Sequence, residues 1–133
     1  MKRACIVLAL ALTVAVAGPL SAHHSFAAHY DMQKPITVQG TLLNVRLSNP
    51  HSWFYIEVKE ADGKVAKWAF EAGTPSGMIR NGYKASELPA GTVVTIAGFP
   101  ARASEHVGML RTLTTADGRT YGMFGPQEGP GAR

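Results

Sequence analysis

The sequence predicts a small, mostly β protein. It reads as a barrel of five to six short strands with one short helix between strands three and four, preceded by a cleavable signal peptide. Three observations predict this. The first 22 residues have the layout of a secretory leader. Beyond them, short runs of alternating or β-branched residues are separated by Gly, Pro, Asn and Asp turns. Only one segment, Thr74 to Gly82, carries clear helix start and stop signals.

The leader comes first. Lys2 and Arg3 precede an uncharged run from Ala4 to Ala17, which Gly18-Pro19 breaks before Leu20-Ser21-Ala22. That run falls short of the roughly 20 apolar residues that span a bilayer as a helix, so no stable membrane span is expected after processing. Ala15-Val16-Ala17 offers an earlier cut. Cleavage after Ala22 is favoured because it puts the Gly-Pro break at the border between apolar run and cut. The domains expected are then a signal peptide over 1–22, a His-bearing arm over 23–34, an OB-like β domain over 35–124 and a disordered tail over 125–133. The localisation expected is periplasmic or secreted.

Processing removes two features of the precursor. The single cysteine, Cys5, lies in the leader, so disulfides, thiolate metal sites and cysteine nucleophiles are excluded from the processed chain. Loss of Lys2 and Arg3 lowers the formal charge of +4 by two. Arg46, Lys59, Lys67 and Arg80 form no dense basic stripe, which disfavours nucleic acid as a partner.

The elements follow in order. Ile36 to Leu47 (ITVQGTLLNVRL) alternates as a half-buried strand. Gly40 interrupts it, where glycine suggests a bulge or a sharp bend, and the apolar phase then moves to Leu43, Val45 and Leu47, as one extra residue would require. A long first strand, bent midway, results. After the Ser48-Asn49-Pro50 turn, His51 to Lys59 forms strand two. Ala61-Asp62-Gly63-Lys64 is a hairpin signal, and Val65 to Glu71 returns as strand three. Thr74 can cap a helix that Pro75 opens, and Asn81-Gly82 stops it. A short turn, Ala85 to Leu88, leads to strand four, Thr92 to Phe99. Val107 to Thr115 is strand five, and Asp117-Gly118 turns into a short sixth strand at Arg119 to Tyr121. No internal repeat or interdomain linker occurs. Three strands, a helix and two strands is the order of an OB barrel, and a first strand that pairs at both ends is what closes one. A plain antiparallel sandwich of the same strands is the alternative.

The chemical lead is histidine. His23, His24 and His29 lie close together behind the expected cut, while His51 follows Asn49-Pro50. Cleavage after Ala22 would give His23 a free α-amine, whose proton a metal displaces near neutral pH. An amine and imidazoles together form a nitrogen set that suits Cu(II). The expected metal ligands are therefore His23, His24 and His51, with copper as the cofactor. Each also has an ordinary reading. Adjacent histidines on an arm need no metal, and a histidine after Asn-Pro can simply bond the local backbone. His106, after Glu105, reads as plain surface.

The alternative function is a non-metal binding module for a small ligand, a glycan or a partner protein. Its candidate residues are Trp53, Tyr55 and Trp68, because aromatics on the second and third strands of an OB fold can stack bases or sugars. Core packing competes for the same side chains. Catalysis has little support. Glu57 and Glu71 lie on paired strands and could flank a site, although such glutamates are more often solvated or salt-bridged. Ser25 and Ser52 stand near histidines, but no acid is placed by sequence to orient either pair, and no nucleophile elbow appears.

The runs His23-His24-Ser25-Phe26-Ala27, Lys34 to Thr41, Asn49-Pro50-His51, Trp68 to Glu71 and Gly91 to Gly98 together resemble a family of small secreted bacterial proteins labelled only as a domain of unknown function. The resemblance spans His23 to about Tyr121. It implies export and an OB-like fold, and brings no activity or catalytic residues. The chain departs from the family pattern at His29, where members often carry an acidic residue, so the resemblance favours His23, His24 and His51 over His29 as ligands.

Overall fold

The computed structural model describes residues 26–122. The expected signal peptide, His23, His24 and the expected tail lie outside the described residues. Six strands form one sheet: β1 (Ile36–Arg46), β2 (Trp53–Lys59), β3 (Val65–Glu71), β4 (Val93–Pro100), β5 (Val107–Thr115) and β6 (Thr120–Gly122). A one-turn helix, α1 (Phe26–His29), precedes β1. Helix α2 (Pro75–Arg80) and a 3-10 turn (Ala85–Glu87) lie between β3 and β4. No helix among the described residues is long and apolar enough to cross a membrane.

The strand order is β3-β2-β1-β4-β5-β6, and β3 also pairs with β5. That last contact is parallel and short, Ala69–Glu71 against Val107–Met109, and it closes five strands into a barrel. It decides between barrel and sandwich. β6 pairs with β5 at Thr112–Thr114, beyond the stretch β3 occupies.

Closure depends on β1 serving two partners. Ile36 to Thr41 pairs with β4, and Thr41 to Arg46 pairs with β2. The change of partner falls at Thr41, next to Gly40, and the extra residue lies beyond the glycine. The register slips between Leu42 and Asn44, so Leu43 is the extra residue. Leu42, not Leu43, enters the core at 1% exposure. Gly40 has a different job: a Cβ there would stand 2.5 Å from the Glu57 carbonyl oxygen, so only glycine lets β1 cross β2 so closely.

Alternation in β2 turns Phe54 and Ile56 inward, where they join Leu42, Phe70, Val94, Ile96 and Leu113 in a core with 2% exposure or less. α2 is built as its signals predict. Thr74 Oγ1 accepts from the Gly77 amide at 3.1 Å, Pro75 opens the helix, and Gly82 follows with φ 91°. It contributes Met78 to the core, beside Tyr83, which meets Phe54 edge-on at 5.9 Å.

Candidate functional site

Three segments that are distant in sequence converge beside the last residue of β3. The first is the chain just before β1. Its one-turn helix places Phe26, His29 and Tyr30 on one face, because residues three and four apart are neighbours on a helix. This segment is tied to the β4–β5 connection by backbone bonds from Asp31 N to Pro100 O at 2.9 Å and from Arg102 N to His29 O at 2.9 Å. Tyr30 bridges Ala101 and is buried to 4% exposure. The second segment is the β1–β2 connection, which carries a cis Asn49-Pro50 peptide and then His51. Its backbone is held by Ser48 Oγ donating to His51 O at 2.7 Å and by Ser52–Ala72 and Ser52–Gly73 bonds of 2.8 and 3.0 Å. The third segment is the β4–β5 connection itself.

Together they enclose a cleft of about 410 Å³. Phe26, His29 and Tyr30 line one side, Pro50 and His51 another, Ala101, Ala103 and Ser104 a third, and Glu71 of β3 completes it. In OB barrels the β1–β2 and β4–β5 loops frame the usual binding region.

The cleft contains a relay of three polar groups. Tyr30 Oη donates to Glu71 Oε2, and His51 Nδ1 contacts Glu71 Oε1. An ionised carboxylate only accepts, so the proton on this side of the ring sits on Nδ1. In the neutral imidazole Nε2 then carries the lone pair. The Tyr30 hydroxyl is pushed well above its ordinary range, first by burial and then by its bond to Glu71 and that group's charge. It therefore keeps its proton and remains a donor. The Glu71 side chain is 12% exposed and that of His51 32%, so the ring is the part of the relay that solvent reaches. Phe26 packs against it with ring centroids 5.9 Å apart.

Of the metal ligands expected from sequence, His51 lies in this cleft, and His23 and His24 lie outside the described residues. Among the described residues no three His, Cys, Asp or Glu side chains gather as a metal-holding group. The three aromatics of the alternative reading do not share a face. Trp53 and Tyr55 alternate with the core residues Phe54 and Ile56 and so lie half-buried on the outside of the barrel. Trp68 pairs in register with Ile56 on the inner side and stacks on Phe70 at 5.6 Å. Its Nε1 is buried without a hydrogen-bond partner among the described residues, as is Ser52 Oγ.

Sequence reasoning left the roles of three residues unassigned. Tyr30 belongs to a polar stretch, and nothing local marks it as core. Glu71 reads as a strand carboxylate, salt-bridged or able to flank a site, and the structure pairs it with His51 beside the cleft. A register count from the Asp62-Gly63 turn sets Glu71 opposite Trp53, two residues from His51, and so diagonal to it across the hairpin. His106 read as plain surface. It adopts φ 55°, packs 5.1 Å from Trp68 and bonds Glu60 Oε1 through Nε2 at 2.9 Å.

A family model matches residues 11–111, and its description is a family of unknown function, DUF6152. The chain belongs to this family. The match includes every residue that lines the cleft. No curated protein matches the chain.

Proposed function

We propose that this DUF6152 member is an exported metal-binding module, for copper, in which His51 supplies a fixed imidazole and His23 and His24 complete the ligand set. One observation carries the reading: His51 Nδ1 is engaged by Glu71, and Glu71 is engaged in turn by Tyr30. Metal-ligating histidines characteristically give their second N–H to a carboxylate or carbonyl, which fixes the tautomer and aims the other nitrogen. Here that other nitrogen is Nε2, on a ring that lines a cleft.

Chain connectivity supports the same ligand set. Phe26 touches the His51 ring, and His24 is only two peptide links upstream of Phe26. Cleavage after Ala22 would add the His23 α-amine, and amine plus imidazole nitrogens favour Cu(II).

The test is calorimetric titration of Cu(II) into processed protein that begins at His23. One equivalent is expected, weakened in His51→Ala and when a glycine is added ahead of His23. Binding no stronger than that of a scrambled N-terminal peptide refutes the proposal.

A further inference from the structure

The outer face of β1, β2 and β3 is a second surface with its own chemistry. Trp53 and Tyr55 belong to it because Phe54 and Ile56, which alternate with them, are buried in the core. Two residues apart on one strand, their Cα atoms lie about 6.7 Å apart along a line. Both side chains are half-buried, and neither ring meets another ring among the described residues. Arg46 and Asn44 of β1 stand opposite them on one side, and Glu71 and Ala69 of β3 on the other. The next row sets Glu57 against Lys67. Both are exposed, yet they form no ion pair, and Arg46 forms none either, among the described residues. Glu105 is the only other described acid without one. This face therefore keeps charged donors and an acceptor uncommitted beside two aromatic rings.

We infer that this face binds an extended, uncharged glycan, a β-linked glucan of the cellulose type, laid along β2. A sugar ring offers C–H groups to an aromatic ring, and hydroxyls that both donate and accept. The face supplies both kinds of partner. Trp53 and Tyr55 are the rings, Arg46 and Lys67 donate, Glu57 accepts, and the Asn44 amide does either. Charge selects against nucleic acid, the other ligand that stacks on aromatics. Single strands need a positively charged groove along their phosphates, and here Arg46 and Lys67 alternate with Glu71 and Glu57. A protein partner fits less well for the opposite reason. The centre of a protein interface is depleted of charge, whereas charged side chains border this aromatic pair directly. The straight line of the two rings selects an extended chain over a coiled one. Trp68, on the inner side of β3, takes no part.

This proposal does not depend on a metal, so it is tested without one. Cellohexaose is titrated into ¹⁵N-labelled processed protein in EDTA, beside maltohexaose as a coiled isomer and a thymidine hexanucleotide as a stacking nucleic acid. The two tryptophans provide an internal control. The Trp53 indole N–H is expected to shift saturably with a Kd of about 1 mM or tighter, while the Trp68 indole, on the inner side, stays in place. Tyr55→Ala is expected to weaken cellohexaose about tenfold, the usual scale for loss of one stacking ring. Glu57→Ala, at an exposed position, is expected to weaken it several-fold. Amide shifts that match the parent away from β2 establish that each variant is folded. Four results overturn the proposal: no saturable shift of the Trp53 indole up to about 10 mM, which corresponds to negligible affinity; maltohexaose or the hexanucleotide binding as tightly as cellohexaose; a Trp68 response equal to that of Trp53; or full affinity in both variants. A failed copper titration would leave this result untouched, and a failed cellohexaose titration would leave the copper reading untouched.

Discussion

Replacing Glu71 by Gln removes one charge and one acceptor from the centre of the relay while keeping its shape. In the native site the carboxylate accepts from Tyr30 Oη and from His51 Nδ1, with the side chain only 12% exposed. Hydrogen bonds to a charged group contribute about 1.5–3 kcal/mol each, and neutral ones about 0.5–1.5 kcal/mol. The glutamine amide therefore costs about 1 kcal/mol at each bond. It can also accept from only one of the two donors, so either Tyr30 turns its hydroxyl round or His51 gives up its Nδ1 proton. A loss of about 2 kcal/mol corresponds to a fall in Tm of about 10 °C for a domain of this size. The second readout is the tautomer. Long-range ¹H–¹⁵N spectra at about pH 8.5, above the usual imidazole range, are expected to show His51 protonated on Nδ1 in the native protein and a mixture of both tautomers in Glu71→Gln. Under the proposed copper function, Cu(II) affinity is expected to fall by about 10- to 100-fold, the usual effect of losing such a support. A variant that melts within about 2 °C of the parent, with Nε2 still bare, would show that the relay does not hold His51.

Further outcomes follow from the same structure. Burial raises the Tyr30 hydroxyl above its ordinary range, and the Tyr83 and Tyr121 hydroxyls shift in the same direction. The unfolded chain then loses these protons near pH 10 while the folded chain keeps them. Stability is thus fully present below about pH 10 and falls as pH rises beyond it, by up to about 1.4 kcal/mol per unit for Tyr30 alone. Tyr30→Phe is expected to flatten this alkaline limb in denaturant titrations, and an unchanged limb would count against the burial. Gly98→Ala is expected to cost about 3 kcal/mol or to prevent folding, because its Cβ would stand 1.9 Å from the Met109 carbonyl oxygen. Gly63→Ala, with φ 84° and no atom within 4 Å, is expected to cost only about 1 kcal/mol for its left-handed backbone. Thr74→Ala is expected to cost about 1 kcal/mol through loss of the α2 cap, measured by urea unfolding.

Strands β3 and β5 stand where local pattern puts them, and the α2 cap and stop are those read from Thr74, Pro75 and Asn81-Gly82. These features were legible because alternation and capping act over a few residues. The extra residue is Leu43, three positions beyond Gly40, and Gly40 itself announces a backbone peculiarity without saying which one. Its true reason, the nearness of the Glu57 carbonyl, belongs to another strand. The aromatic reading of Trp53, Tyr55 and Trp68 separated for a similar reason. Alternation sorts residues within one strand, and only the β2–β3 register relates the faces of two.

By itself the sequence determined a mostly β chain with these strands, one capped helix and a histidine after Asn49-Pro50, since each is a short-range consequence of side-chain shape and backbone freedom. It also singled out His51. Tertiary structure decided that five strands close into a barrel through a contact of three residue pairs, and that Tyr30, Glu71 and His51 form one relay beside a cleft. Those residues are separated by 20 or more positions, and nothing in a local pattern records a hydrogen bond that exists only after the chain has folded back on itself.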